Sequence, residues 1–206
     1  MCTPGSNAPL KFRHVGRADA DILSRIPLDP EAVSRFLGSL DTVRELVRSG
    51  LAHVLIVAER GGEPVGFYVT HPDPMDGATW WLGYLAVSTR AQGLGVGRAM
   101  LAHALRRLAA VPGCRRVLLL CDHENTHARH LYDRMGFLPS EREDEGSEEV
   151  LAWNTGRAPL VGLPLPRLLA LPGRRRRIRL RETAGPHAAR AIAATRGPPF
   201  RAGTNP

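Results

Sequence analysis

The sequence predicts a mixed α/β fold, a central and mostly antiparallel sheet flanked by helices, and three stretches of the 206-residue chain carry that expectation. Two β-rich runs, Ala52–Glu59 and Pro64–Thr70, are joined by Arg60-Gly61-Gly62-Glu63, a strong hairpin signal. A further strand, Trp80–Val87, runs into a glycine-rich turn and then into the amphipathic helix pattern Arg98–Ala110. The nearly continuous apolar run Arg116–Cys121 reads as a buried strand and leads to a helical stretch, Asn125–Met135, closed by Gly136.

Taken from the start, residues 1–9 are expected to be a flexible N-terminus, and Leu10–Val15 has strand character. Ala18–Ile26 shows a helical period, with Asp19 as its cap and Pro27 as its stop. Two more helical stretches follow. Pro30–Leu37 places a proline where a first helical turn accepts one, and Asp41–Ser49 is bounded by Asp41 as cap and Gly50 as stop. His71–Ala78 is turn-rich, and Val150–Trp153 supplies a last strand. A domain spanning 10–153 is long enough to enclose one core.

The formal net charge of +8 is unevenly spread. Residues 154–206 hold eleven arginines and a single acid, Glu182, which leaves residues 1–153 near −2. That tail is rich in proline, glycine and arginine, has a basic run at Arg174–Arg177, and is expected to be disordered. It is either a solvated extension or a segment that binds nucleic acid or acidic lipid. No apolar run is long enough to span a bilayer and no charged-then-apolar leader opens the chain, so a cytoplasmic protein without membrane association is expected. Cys2, Cys114 and Cys121 are odd in number and lack Cys-x-x-Cys spacing, which points to neither a disulfide framework nor a metal site.

The chemistry concentrates at Gln92-Gly93-Leu94-Gly95-Val96-Gly97-Arg98. Glycines let a backbone bend sharply and approach a ligand, and the first amides of the following helix have no partner inside it. Anions, diphosphates among them, are drawn to such ends. Glycine spacing alone also fits an ordinary strand-to-helix connection. A Walker loop would need Gly-Lys-Ser/Thr where Val96-Gly97-Arg98 stands, and a Rossmann fingerprint would need Gly-x-Gly-x-x-Gly with a later carboxylate. Neither fits.

What the turn resembles is the Gln/Arg-x-x-Gly-x-Gly/Ala motif of the GCN5-related N-acetyltransferases (GNAT). The second half of that signature follows at Asn125-Thr-His-Ala128-Arg-His-Leu131-Tyr132-Asp-Arg-Met-Gly136-Phe137, similar to the family's Asn-x-x-Ala-x-x-Leu-Tyr-x-x-x-Gly-Phe segment. The resemblance implies a GNAT-like fold, acetyl-coenzyme A as acetyl donor with no metal, and direct transfer to an amine. It implies that the strand carrying Leu85, Ala86 and Val87 parts from Arg116–Cys121, so that the pantetheine arm lies in the gap. Backbone groups of Leu85 and Val87 would hold the arm, with the Val87 N–H facing the thioester oxygen, although all three residues also read as plain strand core.

By the same resemblance Gln92, Gly93, Leu94, Gly95, Val96, Gly97 and Arg98 would hold the pyrophosphate, chiefly through backbone N–H groups. Arg98 is either a charge-assisted contact or a solvated helix residue. Asn125 is either a helix cap or a contact to the coenzyme arm. Tyr132 is the candidate acid, because the family's tyrosine protonates the departing thiolate and a phenol of ordinary pKa about 10 keeps its proton at neutral pH.

One departure stands out. Many members carry a carboxylate before the coenzyme-binding turn as base for the incoming ammonium, and here that stretch is Trp81-Leu82-Gly83-Tyr84-Leu85. Asp122, His123 and Glu124 are weak substitutes, so no base is assigned. The acceptor is expected to be a primary amine of a small molecule, bordered by the early helices, with Trp80, Trp81, Tyr68 and Tyr84 either lining its pocket or filling the core. A polyamine, an aminoglycoside-type compound or a peptide amine would suit a slightly acidic domain. The alternatives are a protein or peptide N-acetyltransferase, and a non-catalytic acetyl-coenzyme A-responsive binder acting through the basic tail; a homodimer is compatible with each.

Overall fold

The computed structural model describes residues 8–49, 52–142 and 146–156. The expectations for residues 1–7, for Gly50 as a helix stop and for the tail beyond Gly156 fall outside them. Seven strands form one sheet: β1 (Leu10–Val15), β2 (Val54–Arg60), β3 (Glu63–Pro72), β4 (Thr79–Val87), β5 (Arg116–Asp122), β6 (Leu138–Pro139) and β7 (Glu148–Asn154), in the order β1-β2-β3-β4-β5-β7-β6. Every neighbouring pair is antiparallel except β4 and β5. The hairpin between β2 and β3 forms where Gly61 and Gly62 sit at φ +60° and +88°, the left-handed values a two-residue connection requires. β6 was not anticipated, since two residues are too short to show a pattern.

The helical segments depart from expectation in detail. Arg17–Arg25 is a 3-10 helix capped by Gly16 rather than Asp19, whose amide instead donates to the Gly16 carbonyl at 3.0 Å. α1 (Pro30–Ala32) begins behind Asp29, which accepts from the Glu31 amide at 3.0 Å, and continues as a π-helical turn, Val33–Leu37. α2 (Leu40–Arg48) is capped by Ser39, not Asp41: the serine hydroxyl accepts from the Asp41 amide at 3.1 Å. α3 (Val96–Ala109) starts two residues ahead of its expected first residue, and α4 (Thr126–Arg134) starts behind Asn125. No helix among the described residues is long and apolar enough to cross a membrane.

The first helical segments cover one face of the sheet, where Leu23, Ile26, Val43 and Val47 pack onto Leu55, Val57, Phe67, Val69 and Ala86. α3 buries Met100, Leu101, Leu105 and Leu108. Gly66 lies where α3, β3 and β4 leave no room for a side chain, because a Cβ built there would stand 2.7 Å from the Ala86 carbonyl oxygen and 2.7 Å from the Met100 sulfur. The methionine can swing away, but the β4 backbone cannot. Gly66→Ala is therefore expected to cost about 1–3 kcal/mol, read as a lower denaturant midpoint at unchanged slope.

Tyr68 is fully buried, and its hydroxyl lies 2.7 Å from His103 Nδ1, whose ring stacks on Phe12 at 3.9 Å. Burial, then Arg107 and Arg106, push the His103 imidazole down to about 4, so at neutral pH it is uncharged and Nδ1 accepts the tyrosine O–H. A histidine whose folded pKa is depressed gives stability that is complete above its ordinary 6.5 and is lost as pH falls from there toward 4. The melting temperature should fall across that window, and His103→Gln should flatten the fall.

Candidate active site

β4 and β5 pair only through Thr79 with Arg116, Trp80 with Val117 and Trp81 with Leu118; past that point they part. The cause lies on the other edge of β4. Between the pairs Val69–Gly83 and Phe67–Ala86, β3 advances by two residues and β4 by three, a β-bulge at which Tyr84 takes φ +51°. A bulge bends its strand and deepens its twist, so β4 swings away while β5 stays paired with β7 along its whole length. The result is a gap edged by Leu82–Val87 on one side and Leu119–Asp122 on the other. Two strand edges facing one gap present unpaired backbone groups that call for an extended partner.

Which backbone groups face the gap follows from alternation. The Ser88 amide donates to the Val65 carbonyl of β3 at 2.9 Å, so the Val87 amide, one residue back, points to the parted edge. Leu85 lies in the bulge. Ala86 is 7% exposed and packs into the core under the early helices.

Thr89 follows, and its amide donates at 2.9 Å to the carbonyl of Pro27, tying the end of β4 to the early helical segment. Gly93 and Gly95 then take φ +74° and +73°, and no atom stands within 4 Å of where a Cβ would be at either. Gly95 caps α3 without any side chain to satisfy the helix, which leaves the first-turn amides of Val96, Gly97 and Arg98 without intrahelical acceptors. Gly97 differs from its neighbours. It lies inside α3, and a Cβ there would make ordinary 3.6 Å contacts with Leu131 and Val87, so neither backbone freedom nor lack of room calls for glycine at this position. Gln92, Leu94 and Arg98 are exposed, whereas Val96 is buried.

α4 borders the parted half of β5. Its Asn125 Oδ1 accepts from the Ala128 amide at 3.1 Å, so the capping geometry is present. Tyr132 is buried against Phe137, ring centroids 5.7 Å apart, and burial, followed by the Cys121 thiol of β5, holds its phenol well above the ordinary value. Among the described residues no group hydrogen-bonds its hydroxyl. Cys121 is likewise buried, and its thiol is pushed up to about 11 by burial.

Of the weak candidates for a base, His123 is exposed and the two carboxylates are occupied otherwise. Asp122 accepts from the Glu124 amide at 2.8 Å and from the Ser147 hydroxyl at 3.2 Å, while Glu124 pairs with Arg35 of the π-helical turn. Of the four aromatic candidates, Tyr68 lies under α3 bonded to His103, and Tyr84 packs against the helix-covered core. Trp81 stays at the surface of the site: its Nε1–H donates to Asp73 at 2.8 Å and Arg142 lies over its ring at 5.6 Å. An open cleft of about 540 Å³ lies among Pro27, Leu28, Pro30, Val33, Ser34 and Leu40, where the early helices were expected to border an acceptor. His71 was missed altogether. Its stretch looked turn-like, yet β3 runs on to Pro72, and the alternation Phe67, Val69, His71 was the available signal.

The described residues contain no cluster of metal-binding side chains. A sequence model described as the acetyltransferase (GNAT) family matches residues 25–137. The chain is 35% identical over 71 residues to a spermine/spermidine N(1)-acetyltransferase of Bacillus subtilis, a stretch that is 34% of this chain and 47% of that protein. It is 39% identical over 87 residues to a mycothiol acetyltransferase of Streptomyces griseus, 41% of this chain and 27% of that one. The chain thus spans less than half the length of these two relatives. Among solved structures, the fold is shared with an acetyltransferase of Thermus thermophilus (TM-score 0.58, 23% identity, 70% of this chain and 96% of that one). It is shared also with the spermidine N-acetyltransferase of Vibrio cholerae in complex with coenzyme A and spermine (TM-score 0.58, 18% identity, 72% and 96%).

Proposed function

The chain belongs to the acetyltransferase (GNAT) family, and from that premise we propose that it moves the acetyl group of acetyl-coenzyme A directly to a primary amine of a small molecule. The observation that carries the proposal is the parting of β4 from β5 immediately before a turn whose two left-handed glycines open onto an uncapped helix end. The residues present fit the coenzyme: a slot with a free strand edge for an extended amide-bearing arm, and unpaired amides for a diphosphate. When bound, acetyl-coenzyme A supplies an activated thioester, so the chain's own work is to position and to manage protons.

Gln92 to Arg98 bind the pyrophosphate through backbone N–H groups at the mouth of α3. Backbone groups of Leu85 and Val87 hold the arm along the open edge, and the Val87 amide stabilises charge on the carbonyl oxygen. Asn125 keeps α4 in register beside the arm. Tyr132 retains its proton across the working pH range and gives it to the departing sulfur. The small-molecule acceptor is favoured by the names of the relatives, spermine/spermidine and mycothiol acetyltransferases.

The test is release of coenzyme A thiol from acetyl-coenzyme A in the presence of spermidine, kanamycin, tyramine or a tripeptide with a free N-terminus. Turnover of one of the first three supports the proposal, and turnover of the tripeptide alone reassigns the acceptor. If calorimetry detects no binding of acetyl-coenzyme A, the proposal is lost.

A further inference from the structure

β3 places Phe67, Val69 and His71 on the sheet face that carries the early helices; Phe67 and Val69 are buried in the core there, and His71 is half-buried. In the β3–β4 register His71 lies opposite Trp81, and the two rings stack 6.4 Å apart at 12°. Next along β4 on that face is Gly83, opposite Val69, and no atom lies within 4 Å of where its Cβ would stand. The missing side chain leaves open space two residues past Trp81, where the β4–β5 pairing ends, and one residue before the bulge at Tyr84. A diagonal neighbour across an antiparallel pair lies about 7–8 Å away, within reach of an imidazole directly or through one water. A nitrogen seated over Gly83 is therefore within reach of His71 and lies on the strand that leads, two residues on, into the opened edge at Leu85–Val87.

The imidazole is prepared for one role. Its Nδ1 lies 3.1 Å from the Pro72 carbonyl, an acceptor only, which fixes the ring proton on Nδ1 and leaves the lone pair on Nε2. Burial lowers the His71 pKa, opposed by the Pro72 carbonyl and the Asp73 carboxylate, and the net direction is downward. The titratable and charged groups around it are His53 from the segment entering β2, its ring 4.7 Å away, Asp73 beyond the end of β3, and Arg142 from the β6–β7 connection. Arg142 pairs with Asp73 at 2.9 Å and so offsets the one carboxylate that would hold a proton on the ring.

We propose that His71 is the general base that takes the proton of the incoming ammonium, in place of the carboxylate absent from Trp81–Leu85, with the acceptor amine seated over Gly83; this rests on the acetyltransferase reading above. The ammonium gives one N–H proton to Nε2, and the freed lone pair forms the N–C bond to the acetyl carbon as the C–S bond breaks. The nitrogen then sheds a second proton, which balances the one the departing sulfur receives from Tyr132 once that phenol is reprotonated. His71 returns its proton to solvent.

The experiment compares wild type, His71→Gln and the neighbouring control His53→Gln from about pH 5 to about pH 9, using the amine among spermidine, kanamycin and tyramine that wild type acetylates fastest. In His71→Gln, kcat/KM at neutral pH should fall on the order of 10²-fold or more, and the acid limb seen in wild type, set by protonation of His71, should vanish. The deficit should narrow at high pH, where the amine arrives uncharged. His53→Gln, which leaves the His71 imidazole in place, should keep the acid limb, and all three should bind acetyl-coenzyme A equally by calorimetry. Loss of coenzyme binding in His71→Gln would make its role structural, and an unchanged rate with an unchanged acid limb would end the proposal while leaving the acetyltransferase reading intact. No turnover of any amine by wild type overturns both.

Discussion

Tyr132→Phe is expected to lower kcat by about 10²–10⁴-fold while coenzyme A binds with unaltered affinity. The substitution removes one oxygen and little else. The ring stays packed on Phe137, the backbone carbonyl of residue 132 still accepts from the Met135 and Phe137 amides at 3.0 and 3.1 Å, and no side-chain hydrogen bond among the described residues is broken. A lost proton donor thus separates cleanly from a lost fold: turnover drops and the melting temperature holds or rises slightly. Burial, which keeps the phenol protonated, also makes it a reluctant acid, so its proton moves only when a strongly basic thiolate begins to form beside it. The rate deficit should accordingly lie in kcat and grow for acyl donors whose thiol is more basic. Turnover equal to wild type would remove Tyr132 from proton transfer and leave it a core residue next to Cys121.

The fold was legible wherever a local rule determines the outcome. Paired glycines between β-rich runs dictated the β2–β3 hairpin, and the change from alternating to helical periodicity after Val87 dictated strand, turn and helix. The errors fall where neighbouring residues share a capability. Ser39 and Asp41 can both cap a helix, and it is the Ser39 hydroxyl that accepts from the Asp41 amide. Nine residues, Arg17–Arg25, are too few to separate a period of three from one of 3.6, so a 3-10 segment passed for an α-helix. In the site, the demand for left-handed backbone at Gly93 and Gly95 was readable, but Gly97 looked identical and lies inside α3 with room for a Cβ. The bulge that parts β4 from β5 left only the faint mark of Gly83 in a strand. His71 stayed hidden because its ring partners, Trp81 and His53, come from separate stretches and meet only in the folded sheet.

Gly95→Glu should weaken coenzyme binding on the order of 10²-fold, and the comparison with Gly95→Ala and Gly97→Ala identifies why. At φ +73° any side chain at position 95 is strained, by roughly 1–2 kcal/mol for an L-residue in the left-handed region, so Gly95→Ala loses stability first and affinity second. Glutamate adds a carboxylate at a helix end that has no capping side chain, and the free amides of Val96, Gly97 and Arg98 attract it as they would a phosphate. The variant therefore supplies its own competitor. Two like charges about 4 Å apart near a protein surface repel by roughly 4 kcal/mol, part of which the flexible side chain escapes by rotating away, leaving the 10²-fold loss. Gly97→Ala, by contrast, adds a methyl group at ordinary contact distance from Leu131 and Val87 and should bind coenzyme A almost as wild type does. Calorimetry should rank Gly95→Glu as the weakest binder, Gly95→Ala as intermediate and Gly97→Ala as the strongest of the three; normal affinity in Gly95→Glu would mean that the diphosphate does not rest on the mouth of α3.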